Sequence, residues 1–165
     1  MYKTILLAFD GSEEGARALR EGALLAKACG ASVVLLSVVP ESGGVVMAEG
    51  VQGGVVAQLI ESHKGLLERG CTRLRQLGCD PTPRLEVGEP APTIGAVAHE
   101  VKADLVVVGH RKQNFLSRWW SGSTDAYLSD HVGCSVLVSC KAISDEEFEA
   151  RLQSLEQEQA PVPAG

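Results

Sequence analysis

The sequence lacks the marks of several large protein classes. No stretch approaches the roughly 20 consecutive apolar residues that span a bilayer, so no membrane partner is expected. Positive charge is in deficit: 15 Lys and Arg stand against 21 Asp and Glu, a net charge of −6. That balance argues against a general nucleic-acid or anionic-membrane surface. Five cysteines, Cys29, Cys71, Cys79, Cys134 and Cys140, form an odd set without a Cys-x-x-Cys pair, and no His lies at ligand spacing from Cys71 and Cys79. Neither a zinc site nor a disulfide is expected, and reduced thiols in a cytoplasm are the simplest reading. The chain also has no Walker Gly-Lys-Ser/Thr, no Gly-x-Gly-x-x-Gly after its first strand pattern, and no Gly-x-Ser-x-Gly around a serine. His63, His99, His110 and His131 have no acid or cysteine at a telling spacing. No catalytic dyad is assigned, and the chain is read as non-catalytic.

What remains is a regular alternation of strand and helix patterns. The N-terminus enters an apolar run, Ile5 to Phe9, without a signal-peptide cleavage region. The run ends at Asp10-Gly11-Ser12 and reads as a strand buried on both faces. Asp10, Ser12, Glu13 and Glu14 supply the cap and first-turn acids of a helix. Its core stripe is read as Ala16, Leu19, Ala23 and Ala26, with Gly30 as C-cap. A second strand covers residues 32–39 and stops at Pro40. Residues 41–54 hold five glycines and form a loop.

A long helix over residues 55–77 follows, with Ile60, Leu67, Cys71 and Leu74 on one face. Pro81 to Pro83 ends a turn before a short third strand, residues 84–88. Pro90 and Pro92 fall where a first helical turn tolerates proline, and the third helix spans residues 93–101. The fourth strand is 103–108, the fourth helix 123–131 and the last strand 134–140. Alternation of this kind implies parallel strands covered on both sides. The fold class is therefore α/β: a single doubly wound domain with helices on both faces of a five-stranded parallel sheet, ending in a helical tail. In the tail, Ser144-Asp145-Glu146-Glu147 is a capping box. Phe148, Leu152 and Leu155 share one helical face, and 160–163 is a loose end. The expected division is residues 1–141 for the α/β domain and 142–165 for a tail that packs on it.

In an open α/β sheet, ligands sit beyond the carboxyl ends of the strands where the strand order reverses. Two such ends carry suggestive loops. The first is Asp10-Gly11-Ser12. Asp10 either caps the first helix or positions a ribose or a metal-bound phosphate, and one carboxylate suffices for both. The second is Gly109, followed by a basic loop with Arg111, Lys112 and Arg118 and then by Gly122-Ser123-Thr124. A Gly-ended strand, a basic loop and a small-residue helix start offer N–H groups and a positive dipole end to an anion. The plainer alternatives are a turn, a solvated charge cluster and an N-cap. Trp119 and Trp120 are read as packed loop aromatics before base stackers.

Three segments make the chain resemble the universal stress protein family from Tyr2 to about Cys140. They are Ile5-Leu6-Leu7-Ala8-Phe9-Asp10-Gly11-Ser12, Ala103-Asp104-Leu105-Val106-Val107-Val108-Gly109, and Asp130-His131-Val132-Gly133-Cys134-Ser135-Val136-Leu137-Val138. The resemblance implies a sheet order of 3-2-1-4-5, with the Asp10 and Gly109 loops at the switch point. It also implies ATP or AMP as ligand, with magnesium only alongside the nucleotide and Asp10 as its protein-side oxygen. Ala8, Asp10, Ser12, Gly109, Arg111, Lys112, Gly122, Ser123 and Thr124 would then form the site, and Val39 and Val87, at the ends of strands two and three, would line the adenine pocket. A homodimer through the last strand, by way of Val136 and Val138, is implied as well, and an edge strand does want a partner.

ATP-binding members carry Gly, two residues, Gly, nine residues, Gly, then Ser or Thr. Here Gly109, Gly122 and Ser123 keep that spacing, but Lys112 holds the second glycine position. A Lys in a left-handed conformation costs about 1 kcal/mol and adds bulk near a ligand. Either Lys112 blocks the phosphate cradle, leaving a dimeric interaction protein that binds no nucleotide, or its ammonium and Arg111 replace backbone donors with point charges. The intact loop length and local positive charge favour the second. The function expected is non-catalytic nucleotide binding in a stress-response or signalling role, with slow ATP hydrolysis a weaker option.

Overall fold

The computed structural model describes residues 1–41, 53–109, 132–140 and 143–159. Within them the chain runs β1 (Thr4–Ala8), α1 (Glu13–Cys29), β2 (Ser32–Pro40), α2 (Gly53–Gln76), β3 (Pro81–Gly88), α3 (Pro90–Glu100), β4 (Leu105–Gly109), β5 (Ser135–Ser139) and α4 (Asp145–Gln159). The strands form one sheet in the order β3-β2-β1-β4-β5. Every neighbouring pair is parallel. This is the expected order, and it places the reversal between β1 and β4.

Strand periodicity divides the core in two. Side chains alternate across a pleated strand, so Ile5 and Leu7 of β1, with Phe9 just beyond it, join Val33, Leu35, Leu105 and Val107 on one face, under α1, α2 and α4. Leu6, Val34, Leu36, Val106 and Val108 face the other way, against α3 and Val132. Both faces of the central strands are buried, which is why those strands read as unbroken apolar runs rather than alternating ones.

The register of β1 on β4 is set at the opposite end of the sheet from the reversal loops. Asp104 Oδ2 accepts from the Lys3 and Thr4 amides at 2.6 and 2.9 Å, while its own N–H donates to Thr4 O at 2.9 Å. These donors hold the Asp104 carboxyl below its usual pKa range. The clamp fixes Ile5 opposite Leu105 and hence Ala8 opposite Val108.

Three expectations change in detail. Ala16 is exposed, and the buried stripe of α1 runs through Gly15, Ala18, Leu19, Gly22, Ala23 and Ala26. Two glycines that carry no apolar signal lie on the packing face, which displaces the apparent stripe. The Pro81–Pro83 segment is not a turn but the first half of β3, with Pro81 opposite Val33 and Pro83 opposite Leu35. Proline cannot donate to a ladder, but β3 is an edge strand, and prolines two residues apart direct both donorless nitrogens to the same, unpaired side. Finally, α3 starts at Pro90, directly after its N-cap Glu89.

The tail helix packs on its own domain, as expected. Ser144 Oγ accepts from the Glu147 amide at 3.1 Å, which is the cap half of the predicted box. Ile143 and Phe148 are 5% and 3% exposed and belong to the core under α1 and α2, with Leu152 and Leu155 packed against it. Arg20 Nη1 donates to Ile143 O at 2.8 Å and ties the tail to α1.

Candidate functional site

The carboxyl ends of β1 and β4 lie side by side, because Ala8 pairs with Val108. One residue beyond Ala8, the Phe9 amide still donates to Leu36 O at 2.8 Å, so the turn that follows starts from a fixed point. In that turn Asp10 Oδ1 accepts from the Ser12 amide at 2.9 Å and from Ser12 Oγ at 2.5 Å. Ser12 Oγ in turn accepts from the Gly15 amide at 3.0 Å, and Ser12 is the N-cap of α1, with extended backbone (φ −72°, ψ 164°). Asp10 therefore caps α1 through Ser12 rather than directly. The turn and helix start are one hydrogen-bonded unit, and the Asp10 carboxylate stays exposed beside it.

Two glycines make this geometry possible. Gly11 has φ +79°, a conformation side-chain-bearing residues rarely adopt, and a Cβ there would collide with Leu66 Cδ2 on α2. At Gly15 a Cβ would stand 2.9 Å from Asp10 Oδ1, so α1 can approach the carboxylate only without one. Gly109 ends β4 opposite Ser139, where the expected second loop departs.

Of the other residues assigned from the sequence, Ala8 is half-buried and packs toward α3. Val39 and Val87 are paired at the ends of β2 and β3, one 2% and the other 49% exposed. Val39 can thus offer a ligand its backbone, and Val87 its side chain. Arg111, Lys112, Arg118, Trp119, Trp120, Gly122, Ser123 and Thr124 lie outside the described residues, as do His110, His131, the fourth helix expected at 123–131, most of the glycine-rich 41–54 loop and the loose end at 160–163.

The structure also assembles a pair that spacing does not reveal. Ser37, fully buried in β2, and His63 on α2 stand 3.0 Å apart between Oγ and Nδ1. Burial lowers the His63 pKa, and the nearby Asp10 carboxylate opposes that by favouring the imidazolium. Ser37 and His63 thus meet although they are 26 residues apart. Their arrangement is not that of an activated nucleophile, since a hydroxyl with no exposure cannot reach a substrate. The available signal was the single polar residue inside the apolar run Val33–Val39.

No helix among the described residues is long and apolar enough to cross a membrane, and the five cysteines are free thiols. The family model described as the universal stress protein family matches residues 1–139. A universal stress protein of Staphylococcus aureus (strain USA300) is 30% identical over 158 residues, covering 92% of this chain and 90% of that protein. The crystal structure of a universal stress protein family member from Burkholderia pseudomallei aligns with a TM-score of 0.65 and 27% identity, covering 83% of this chain and 95% of that one. A universal stress protein solved in complex with cAMP aligns with a TM-score of 0.59 and 25% identity, over the same shares of the two chains.

Proposed function

The chain belongs to the universal stress protein family, and from that premise we propose that it is a non-catalytic binder of an adenine nucleotide, ATP or AMP, acting in a stress-response or signalling role. The observation that carries the reading is the adjacency of β1 and β4 at the reversal of the sheet, Ala8 against Val108. That adjacency sets the Asp10–Ser12 turn and the Gly109 strand end at the same end of neighbouring strands, the end at which α/β sheets take their ligands. A relative crystallised with cAMP supports the ligand class.

In this reading the base lies toward the ends of β2 and β3, at Val39 and Val87. The ribose and phosphates lie over Ala8, Asp10, Ser12 and Gly109, and the anion is completed by Arg111, Lys112, Gly122, Ser123 and Thr124. Where magnesium accompanies the nucleotide, Asp10 would be the residue that holds it, and the ion would offset phosphate charge. The edge of β5 serves a homodimer, since Val136 and Val138 pack on the sheet face that carries α3 and Val132 while, among the described residues, no strand lies beyond β5. Free thiols and an acidic surface fit a reducing, cytoplasmic setting.

The test is calorimetric titration with ATP and magnesium, after mass spectrometry of the denatured protein has excluded a co-purified nucleotide. Micromolar binding that falls by about tenfold or more in Gly122→Val, where a branched side chain fills the anion cradle, is the expected result. Lys112 favours a second reading, a dimeric interaction protein that takes no nucleotide. In that case the native chain gives no heat and Lys112→Gly creates binding.

A further inference from the structure

α4 lies beyond residue 139, where the match to the family model ends, and it leaves an open groove against α1. The helix is firmly seated: Ile143 and Phe148 are buried in the core, and Arg20 Nη1 on α1 donates to Ile143 O at 2.8 Å. Beside this inward face, residues spaced three and four apart on each helix line a groove of about 470 Å³. Its apolar surface comes from Leu24, Leu25 and Ala28 on α1 and from Ala150 and Leu155 on α4. Leu25, Ala28 and Leu155 are only half-buried and Ala150 is exposed, so the fold leaves this surface for another use. At the mouth stand Glu21 on α1 and Glu147 and Arg151 on α4, the last two paired at 2.7 Å. Two carboxylates thus face one guanidinium. The sequence of α4 is more one-sided still, with six acidic residues against Arg151 as its one basic residue.

We propose that this groove is a docking site for an amphipathic helix with a basic flank, supplied by another protein. Between Glu147 and Leu155 the axis of α4 rises about 12 Å, which seats about two turns of a helix. An apolar stripe at i, i+3, i+4 and i+7 covers the leucines and alanines, the general mode of helix-in-groove recognition. Lysines or arginines on its flank meet Glu21 and the carboxylates of α4. Charge complementarity selects this occupant over two nearer ones. A second copy would bring another acidic α4 against this one, and residues 160–165 of the same chain hold no basic side chain with which to meet the rim. The site is built from α1 and α4 and does not rest on the nucleotide reading.

The experiment titrates the full chain with a synthetic amphipathic peptide of about four helical turns, leucine on one face and lysine on the other. Its control carries glutamate for every lysine. In ¹H–¹⁵N spectra the lysine peptide should shift the amides of Leu25, Ala28, Ala150 and Ser154 and their neighbours, and bind about tenfold or more tightly than the control. Its affinity should fall about threefold or more between about 0.05 and about 0.3 M salt. Ser154 lines the same groove and is exposed, so Ser154→Trp should obstruct it and weaken binding about tenfold. Ala150→Arg, which adds a cation at the mouth, should act in the same direction. An unchanged urea midpoint in both variants shows that the fold is intact. Shifts scattered over the surface, or equal binding of the two peptides, overturn the proposal on the native protein alone. Without peptide, a change in the amides of residues 160–165 in Ser154→Trp would put the chain's own end in the groove. A fall in particle mass of that variant would put a second copy there, and either result also overturns the proposal.

Discussion

Gly11 has the least freedom to change of any residue in the first turn. Its left-handed backbone and its contact with Leu66 act together, so Gly11→Ala should cost about 1–3 kcal/mol, read from the midpoint of urea denaturation. A neutral result would mean that α2 moves away freely. Asp10 and Ser12 were legible in the sequence because their chemistry is local: an acid, a glycine and a serine before a helix pattern specify a cap through bonds between residues two or three apart. Ser37 and His63 were not legible, because a 26-residue separation becomes a contact only once β2 and α2 are stacked. His63 carries a pH signature of its own. Burial holds its pKa below the ordinary imidazole value, so the unfolded chain takes up the proton first. Stability is then complete above about pH 6.5 and declines as the pH falls below that value. Thermal melts across that interval should show the decline in the native protein and its loss in His63→Gln.

Among the elements, α4 tests most directly whether the tail is part of the fold. Phe148 is 3% exposed within the core beneath α1, and Phe148→Ala should cost about 3 kcal/mol. Ser144→Ala should cost about 1 kcal/mol through loss of the cap. Equilibrium denaturation measures both, and native-like stability of Phe148→Ala would mean the helix is only loosely held. The tail helix and the strands were readable because amphipathic and apolar periods are long-range averages that single residues do not upset. The misplaced features were those where one residue type carries two meanings. Glycine in α1 looked polar yet packs, which left exposed Ala16 in the apparent stripe. Proline at 81 and 83 looked like a turn, because its cost in a strand vanishes only at an edge, and edge position belongs to the sheet rather than to the segment.

At the scale of the whole molecule, strand order could not be read from periodicity. It came from resemblance, and the Asp104 clamp supplies its physical basis at the β1–β4 join. Because backbone donors hold the Asp104 carboxyl low, its contribution is present above about pH 3.9 and is lost as the pH falls through the lower native value. Asp104→Asn should therefore flatten the most acidic part of the stability profile, measured by circular dichroism against pH. The two borders of the sheet are also unlike each other. Among the described residues no strand lies beyond β5, whereas along β3 Pro81 and Pro83 cannot donate to one. Were a second copy to add a strand at β5, the two donorless positions of β3 would hinder the same mode of growth at the other border and favour a closed pair over a filament. In that event two ring nitrogens would limit assembly from the border remote from the proposed dimer contact. Replacing both prolines by threonine is expected to release concentration-dependent polymers in light scattering, with the native chain staying at a fixed particle size.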